Sequence, residues 1–551
     1  MAVGHLQRGQ LSTSARRTAQ VTRVPAPILG IDSRAALSKG DPDTCIYTYN
    51  LQPYEYGMRV RKGYREWQVD IETAPDMGLG VRTVIPFDGV ERSNVGDRLF
   101  AVTNEGIWDV TVFGGTPVLK VAFAIATSVA GYGTYSHYTG DNENDVLFFA
   151  DSANGLFEYD ADTDTWAQAT GITGPAITNI SFVVLHKQRL WMFEENSTSA
   201  WYLGVGSQSG QATEFFFGSK FRHGGHLAGL FNWSVDGGAG LDDYLIAISN
   251  AGDVLAYAGD DPSLDDWSLR GSYFIGQIPR GVNFAAEHAG ELLILSSLGL
   301  INMNQLLQGS DSVDTMAGQT NTAAGKISMN IRDAIRPTLD IDGWTIRTAP
   351  SEAALIITRP KIASKPHRQF YFNYVIGGWG IWHDVPMTTY DSWRGNIAFG
   401  TADNRMCYMD VNVDNLQLDP PDPLHNGDDI NFSILSSFQS YELDGVYKKV
   451  KLIRPDFVTT SPVSSSSVAR YDYDISEALH GLPTASGEKA TWDDGIWDKA
   501  IWAGGLPEGQ SVIKGSWGYG RYVAIATKGK TRGDTRLVGW DVIFSSGGPL
   551  I

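Results

Sequence analysis

The sequence predicts an all-β protein: a β-propeller of six or seven blades, with an N-terminal extension and a C-terminal β-sandwich-like region. Three observations carry this expectation. The 551 residues include 61 Gly, 23 Phe, 23 Tyr and 16 Trp against 19% charged residues, the composition of a turn-rich folded chain and not of a disordered one or a coiled coil. A hairpin-like segment recurs through the middle of the chain. Beyond residue 430, apolar and polar residues alternate with the period of a half-buried strand.

The recurring unit is an apolar strand, a four-residue polar turn and a second apolar strand carrying an aromatic or Met. It occurs as FAVTNEGIWDV from Phe100, FFADSANGLFEYD from Phe148, IAISNAGDVLAYAG from Ile246, LILSSLGLINMN from Leu293 and IAFGTADNRMCYMD from Ile397. The turn position is held by Gly106, Gly155, Gly252, Gly299 and Asn404, residue types that tolerate a left-handed backbone. These positions are 49, 97, 47 and 105 residues apart, so each long gap should hide one more hairpin. RLWMFEENSTSAWYLG from Arg189 and ALIITRPKIASKPHRQFYFNYV from Ala354 are the candidates. A recurrence at roughly 45 to 55 residues with three or four strands per unit is the mark of a propeller, in which stacked blades share a core that no blade could bury alone. The clearest unit starts at Asp145, with a third strand expected after the DADTDTW turn.

Four regions follow. Residues 1–75 form an N-terminal arm and lead-in segment, 76–415 the propeller, 416–429 a Pro/Asp-rich linker within DNLQLDPPDPLHNGDD, and 430–551 an antiparallel β domain with strands such as VKLIRPDFV and SSVARYDYDIS. The first 31 residues carry Arg8, Arg16, Arg17 and Arg23 and no acid, which fits either a flexible tail or an ordered arm on a partner; the apolar centre of a secretory signal is missing. No run approaches the roughly 18 to 20 apolar residues of a membrane-spanning helix.

A net charge of −19 argues against a protein that grips nucleic acid, since gripping rests on lysines and arginines that displace phosphate counterions. It leaves open a surface past which nucleic acid slides. Cys45 and Cys407 form neither a CxxC nor a Cys/His pattern, so no disulfide framework is expected.

Motifs that mimic chemistry lack their context. Lys528–Thr531 reads KGKT, yet the first glycine of a phosphate-binding loop falls on Ala524 and the surroundings are strand-like. Asp160, Asp162 and Asp164 alternate as in a calcium loop, but Thr165 and Gly171 stand where its glycine and glutamate belong, so a solvated turn is the expected state. His223 and His226 in RHGGHL have no helix to hold them on one face, and neither HExxH nor GxSxG occurs. No catalytic, cofactor-binding or metal residue is therefore assigned, and no cofactor is expected.

The segment with Gly30, Arg34, Leu37, Pro42, Asn50, Pro53, Gly57, Arg59-Val60-Arg61-Lys62-Gly63 and Trp67 resembles the N-terminal signature of tail nozzle, or tail-tube, structural proteins of short-tailed bacteriophages. TWDDGIWDKAIW from Thr491 resembles the Trp-Asp-x-x-x-Trp runs near the C-terminus of that family. The resemblance implies a non-enzymatic virion protein in the tail, assembled in the host cytoplasm as a homo-oligomeric, hexameric ring. It also implies portal-adaptor ring proteins and tail fibre or spike proteins as partners, with DNA crossing the lumen without sequence-specific binding. The rival reading from the residues is a carbohydrate-directed propeller, a glycoside hydrolase or lectin-like adhesin. Trp492, Trp497 and Trp502 recur every five residues, the period of neither helix nor strand, and fit either serial packing at a sheet edge or an aromatic platform for a partner.

Overall fold

The computed structural model describes residues 19–33, 37, 40–68, 77–89, 96–140, 145–236, 241–288, 290–307, 323–363, 365–418, 426–476, 489–490, 501–502, 508–510 and 513–547. Strand accounts for 54% and helix for 6%, so the chain is all-β, built from many small antiparallel sheets.

Among the described residues, seven sheets follow one another along the chain. The first runs Thr83–Phe87, Arg98–Val102, Gly106–Asp109, Val118–Ala122, and the second Gly133–Thr139, Asp145–Asp151, Gly155–Asp160, Thr165–Gln168. The third is Ile180–His186, Arg189–Glu194, Ser199–Tyr202, Thr213–Phe216, and the fourth Leu227–Asp236, Leu241–Ser249, Asp253–Ala258, Ser268–Phe274. The fifth has three strands, Ala285–His288, Glu291–Ser296 and Gly299–Asn302, with the helix Ala323–Ile335 packed on the last. The sixth begins Thr345–Ala349, Ala354–Thr358, Arg368–Asn373, Gly378–His383, and the seventh is Met387–Trp393, Asn396–Thr401, Met406–Val411. Gly63–Glu66, from far upstream, adds the seventh sheet's fourth strand, antiparallel to Met406–Val411.

Each of the seven hairpins expected from the sequence is the second and third strand of one of these sheets, including those at Arg189 and Ala354. Gly155, Gly252, Gly299 and Asn404 take positive φ, at 88°, 102°, 120° and 63°. Gly106 does not, which corrects the expectation for that turn. It is glycine for another reason: a Cβ there would lie 2.2 Å from the Val121 carbonyl oxygen across the sheet.

The apolar runs are nearly continuous because both faces of these strands are covered. Leu147 and Phe149 pack with Phe100 and Val102 of the first sheet, while Phe148 and Ala150 pack with Val183 and Leu190 of the third. Leu245 and Ala247 likewise join the core toward the third sheet, and Ile246 and Ile248 the core toward the fifth. The first strand of each sheet touches the first strand of the next, and Met387–Trp393 of the seventh touches Thr83–Phe87 of the first.

The lead-in segment and the C-terminal region interleave. The sixth sheet continues through Cys45–Tyr49, Ile430–Ser436, Val523–Thr531 and Ser464–Tyr471 to eight strands among the described residues. A further sheet orders Leu51–Tyr54, Gly57–Val60, Thr535–Ser546, Lys448–Thr459 and Glu508–Gln510, with Gln20–Pro25 also paired to Thr535–Ser546. The two share an apolar core, and the buried Trp540 donates its indole N–H to Thr527 Oγ1 across it at 2.9 Å. Gln20–Pro25 is thus a sheet strand, with Arg23 ion-paired to Asp456 and Asp541. Trp492 and Trp497 lie outside the described residues; Ile501–Trp502 pairs in parallel with Lys489–Ala490.

Candidate functional site

The residues singled out between Gly30 and Trp67 meet four separate parts of the structure. Gly30, at φ +65°, leaves its Cα so close to the sixth sheet that a Cβ would lie 1.9 Å from the Trp379 carbonyl oxygen; the Ile31 amide donates to that same oxygen at 2.9 Å. Asn50, buried and at φ 59°, donates from Nδ2 to the Asn431 carbonyl at 2.8 Å, and its Oδ1 accepts from the His383 amide at 2.8 Å. Gly57 closes the hairpin of Leu51–Tyr54 and Gly57–Val60 beneath the Leu537 carbonyl, and Arg59 donates to Asp534 at 2.9 Å.

Arg61 is the centre of the segment. Its side chain is fully buried and forks onto both carboxylate oxygens of Asp414, at 2.7 and 2.6 Å, while Nε donates to Asn50 Oδ1 at 2.9 Å and Nη1 to the Lys62 carbonyl at 3.0 Å. A planar fork matched to a carboxylate is what arginine supplies and lysine does not. Lys62 pairs with Glu352 at 2.8 Å, and Gly63 leaves no room for a Cβ, which would stand 1.9 Å from the Val413 carbonyl oxygen. Trp67 then donates its indole N–H to the Val110 carbonyl of the first sheet's border at 2.7 Å, and its amide to Met406 of the seventh at 2.9 Å. Leu37 and Pro42 are exposed, and Arg34 lies outside the described residues. Asp414 was not legible as Arg61's partner: 353 positions separate them, and nothing local to either marks the pair.

The other motif residues are scattered. Lys528 to Thr531 are the last four residues of the strand Val523–Thr531, with Lys530 on Asp429 at 2.7 Å. Asp164, at φ 51°, accepts from Lys120 Nζ at 2.9 Å and from the Tyr159 hydroxyl at 2.8 Å, and these contacts hold its carboxyl below the usual carboxylate range against the cost of burial. Asp160 accepts from the Asp162 amide at 2.9 Å, a turn contact. The two histidines of RHGGHL bond to different residues: His223 Nδ1 to the buried Asp253 at 2.7 Å, and the His226 amide to Asn250 Oδ1 at 3.0 Å. Among the described residues no three His, Cys, Asp or Glu side chains converge as a metal site. Cys45 and Cys407 are buried and free.

Around the short strand Lys514–Gly515, Ile513 is 59%, Trp517 83% and Tyr519 69% exposed. Tyr519 meets Tyr447, over which Arg521 stacks, so aromatic and guanidinium groups share one surface. Among the described residues no helix is long and apolar enough to cross a membrane.

No family model and no curated protein matches the chain. Among solved structures it is similar to the computationally designed Ika8 protein, crystal packing No. 1 in P63, at 8% identity and a TM-score of 0.34, over 69% of this chain and 98% of that one.

Proposed function

We propose that the seven sheets close into a seven-bladed β-propeller, and that the chain is a structural, non-enzymatic virion protein: the tail nozzle or tail-tube ring of a short-tailed bacteriophage. One observation carries the reading. The Gly30–Trp67 residues on which the family resemblance rests include those that tie the sixth, seventh and first sheets to the C-terminal sheets, so the signature has a whole-molecule reason to exist. The contact of each first strand with the next, returning from Met387–Trp393 to Thr83–Phe87, supports the closed wheel.

The role follows from physics the composition allows. Duplex DNA carries one negative charge per about 1.7 Å of axis, so a basic wall would hold it while an acidic or neutral wall lets it pass. Copies of a chain at −19 can build such a wall. Trp, Tyr and Arg are enriched where proteins dock, so the surface of Trp517, Tyr519 and Arg521 is the candidate contact with a neighbouring copy or ring.

Mass measurement by light scattering, alone and with portal-adaptor complexes, tests the reading, followed by electron microscopy of labelled particles. The expected result is an assembly of about six times 60.1 kDa, located at the tail. A persistent 60.1 kDa species that binds no portal complex, or one that hydrolyses glycans, would overturn it. Removing residues 1–18 tests the basic arm while sparing strand Gln20–Pro25: attachment to heads should be lost and the melting temperature kept.

A further inference from the structure

A cavity of about 530 Å³ opens between the helix Ala323–Ile335 and the connection that joins strands Ala354–Thr358 and Arg368–Asn373 of the sixth sheet. Its walls include Asn330, Pro337 and Ile362, and three cations: Arg359, Lys365 and Arg368. A volume of this size is in the range of small-ligand pockets, roughly 300–1,000 Å³.

The charge is what needs an explanation. In a chain with 62 acidic and 43 basic residues, most buried or half-buried arginines find an acid. Arg61 has Asp414, Arg189 has Asp261 and Arg347 has Asp391. Arg359 is only 8% exposed, yet no carboxylate lies within ion-pair distance of it, of Arg368 or of Lys365 among the described residues. Its Nη2 donates to the Pro366 carbonyl at 2.7 Å, and among the described residues the Nε of both Arg359 and Arg368 is buried without a partner. Burying an unpaired cation is costly, and two near each other cost more. The proximity registers in the neighbours: burial together with Arg368 lowers the Arg359 pKa, and burial, then Arg368 and Arg359, push His383 down to about 4. Among the described residues that line the cavity the one acid, Asp333, is 69% exposed and faces Arg332 at 3.5 Å.

We propose that this cavity binds a small phosphate-bearing anion, with Arg359 and Arg368 as its guanidinium partners and Lys365 at the mouth. A compact dianion suits the count of cations better than a single carboxylate, and guanidinium forks match phosphate oxygens in geometry. The apolar Pro337 and Ile362 leave room for an organic part beside the phosphate. The recess between helix and connection, with Arg359 buried in its wall, suits a small ester better than the backbone of a duplex. This site is independent of the ring reading.

The test uses the full chain, titrated with inorganic phosphate by calorimetry and by thermal melting at fixed ionic strength. Phosphate should raise the melting temperature where the same ionic strength of chloride does not. Arg368→Gln and, at the exposed mouth, Lys365→Gln should each weaken phosphate binding at least tenfold while the protein still melts cooperatively. A rise equal to that in chloride, or phosphate binding unchanged in both variants, would overturn the proposal. So would displacement of phosphate by a short DNA duplex, which would assign the cations to nucleic acid instead.

Discussion

Replacing Asp414 with Ala should loosen the whole lead-in segment. The Arg61 side chain is fully buried and that of Asp414 only 15% exposed, and two charge-assisted bonds of 2.7 and 2.6 Å join them. Truncating one partner of such a pair strands a charge that water cannot reach, at a cost of about 3–5 kcal/mol. The partial exposure of Asp414, and the Asn50 and Lys62 acceptors that Arg61 keeps, place the effect at the lower end, about 3 kcal/mol. The natural assay is amide hydrogen exchange, because the loss is local before it is global. The Arg61 amide donates to the Asn50 carbonyl at 3.0 Å and the Tyr64 amide to Val413 at 3.0 Å. Both should exchange about 100-fold faster in Asp414→Ala, since each 1.36 kcal/mol is a factor of ten. A second variant separates charge from packing: Arg61→Met combined with Asp414→Leu removes both ions and should recover most of the protection. Exchange within threefold of the parent in Asp414→Ala would refute the claim that this ion pair holds the segment.

Three further outcomes follow from the structure. His186 is buried, its Nδ1 on Asn232 Oδ1 at 2.8 Å and its Nε2 without a partner, and burial pushes its pKa down to about 4. The unfolded chain therefore takes up this proton first, so stability present above about pH 6.5 declines as the pH falls toward 4, by about 3 kcal/mol in all, and levels off below. His186→Gln should flatten the fall of melting temperature over that window by about one proton's worth, and an unchanged slope would refute it. Gly30→Ala combines a left-handed backbone with a Cβ 1.9 Å from the Trp379 carbonyl oxygen, and should cost about 2–4 kcal/mol, read as a lower melting temperature or loss of soluble protein. Trp517→Ala removes a side chain that is 83% exposed, so the melting temperature should hold within the roughly 0.5 kcal/mol usual for surface changes while self-assembly or ring docking is lost; a large drop in stability instead would mean the indole packs at home.

How far the sequence could be read depended on the distance between cause and partner. Hairpins were legible because a turn residue and its two flanking strands lie within a dozen positions, as at Asn404 between Ile397 and Met409. Even there one inference went astray: Gly106 is excluded from bearing a side chain by the Val121 backbone, a cross-sheet fact, and not by a left-handed turn. The strand Cys45–Tyr49 reads as a short apolar segment, but its neighbours Gly378–His383 and Ile430–Ser436 are hundreds of positions away, and no local pattern names them. The cations of Arg359 and Arg368 look ordinary in sequence; only in space does it show that, among the described residues, no carboxylate pairs with either.

The strand Gly63–Glu66 carries a consequence for how the molecule is made. Its mate Met406–Val411 emerges from the ribosome some 345 residues later, the spacing of Arg65 and Asp410. Until then the early segment must wait as an unpaired strand. Loop closure over such a span is slow, and exposed edges of this kind invite mispairing. Synthesis arrested before residue 411 should therefore leave a product lacking its final fastening, sensitive to protease at the waiting segment and rescued when the missing strand is restored.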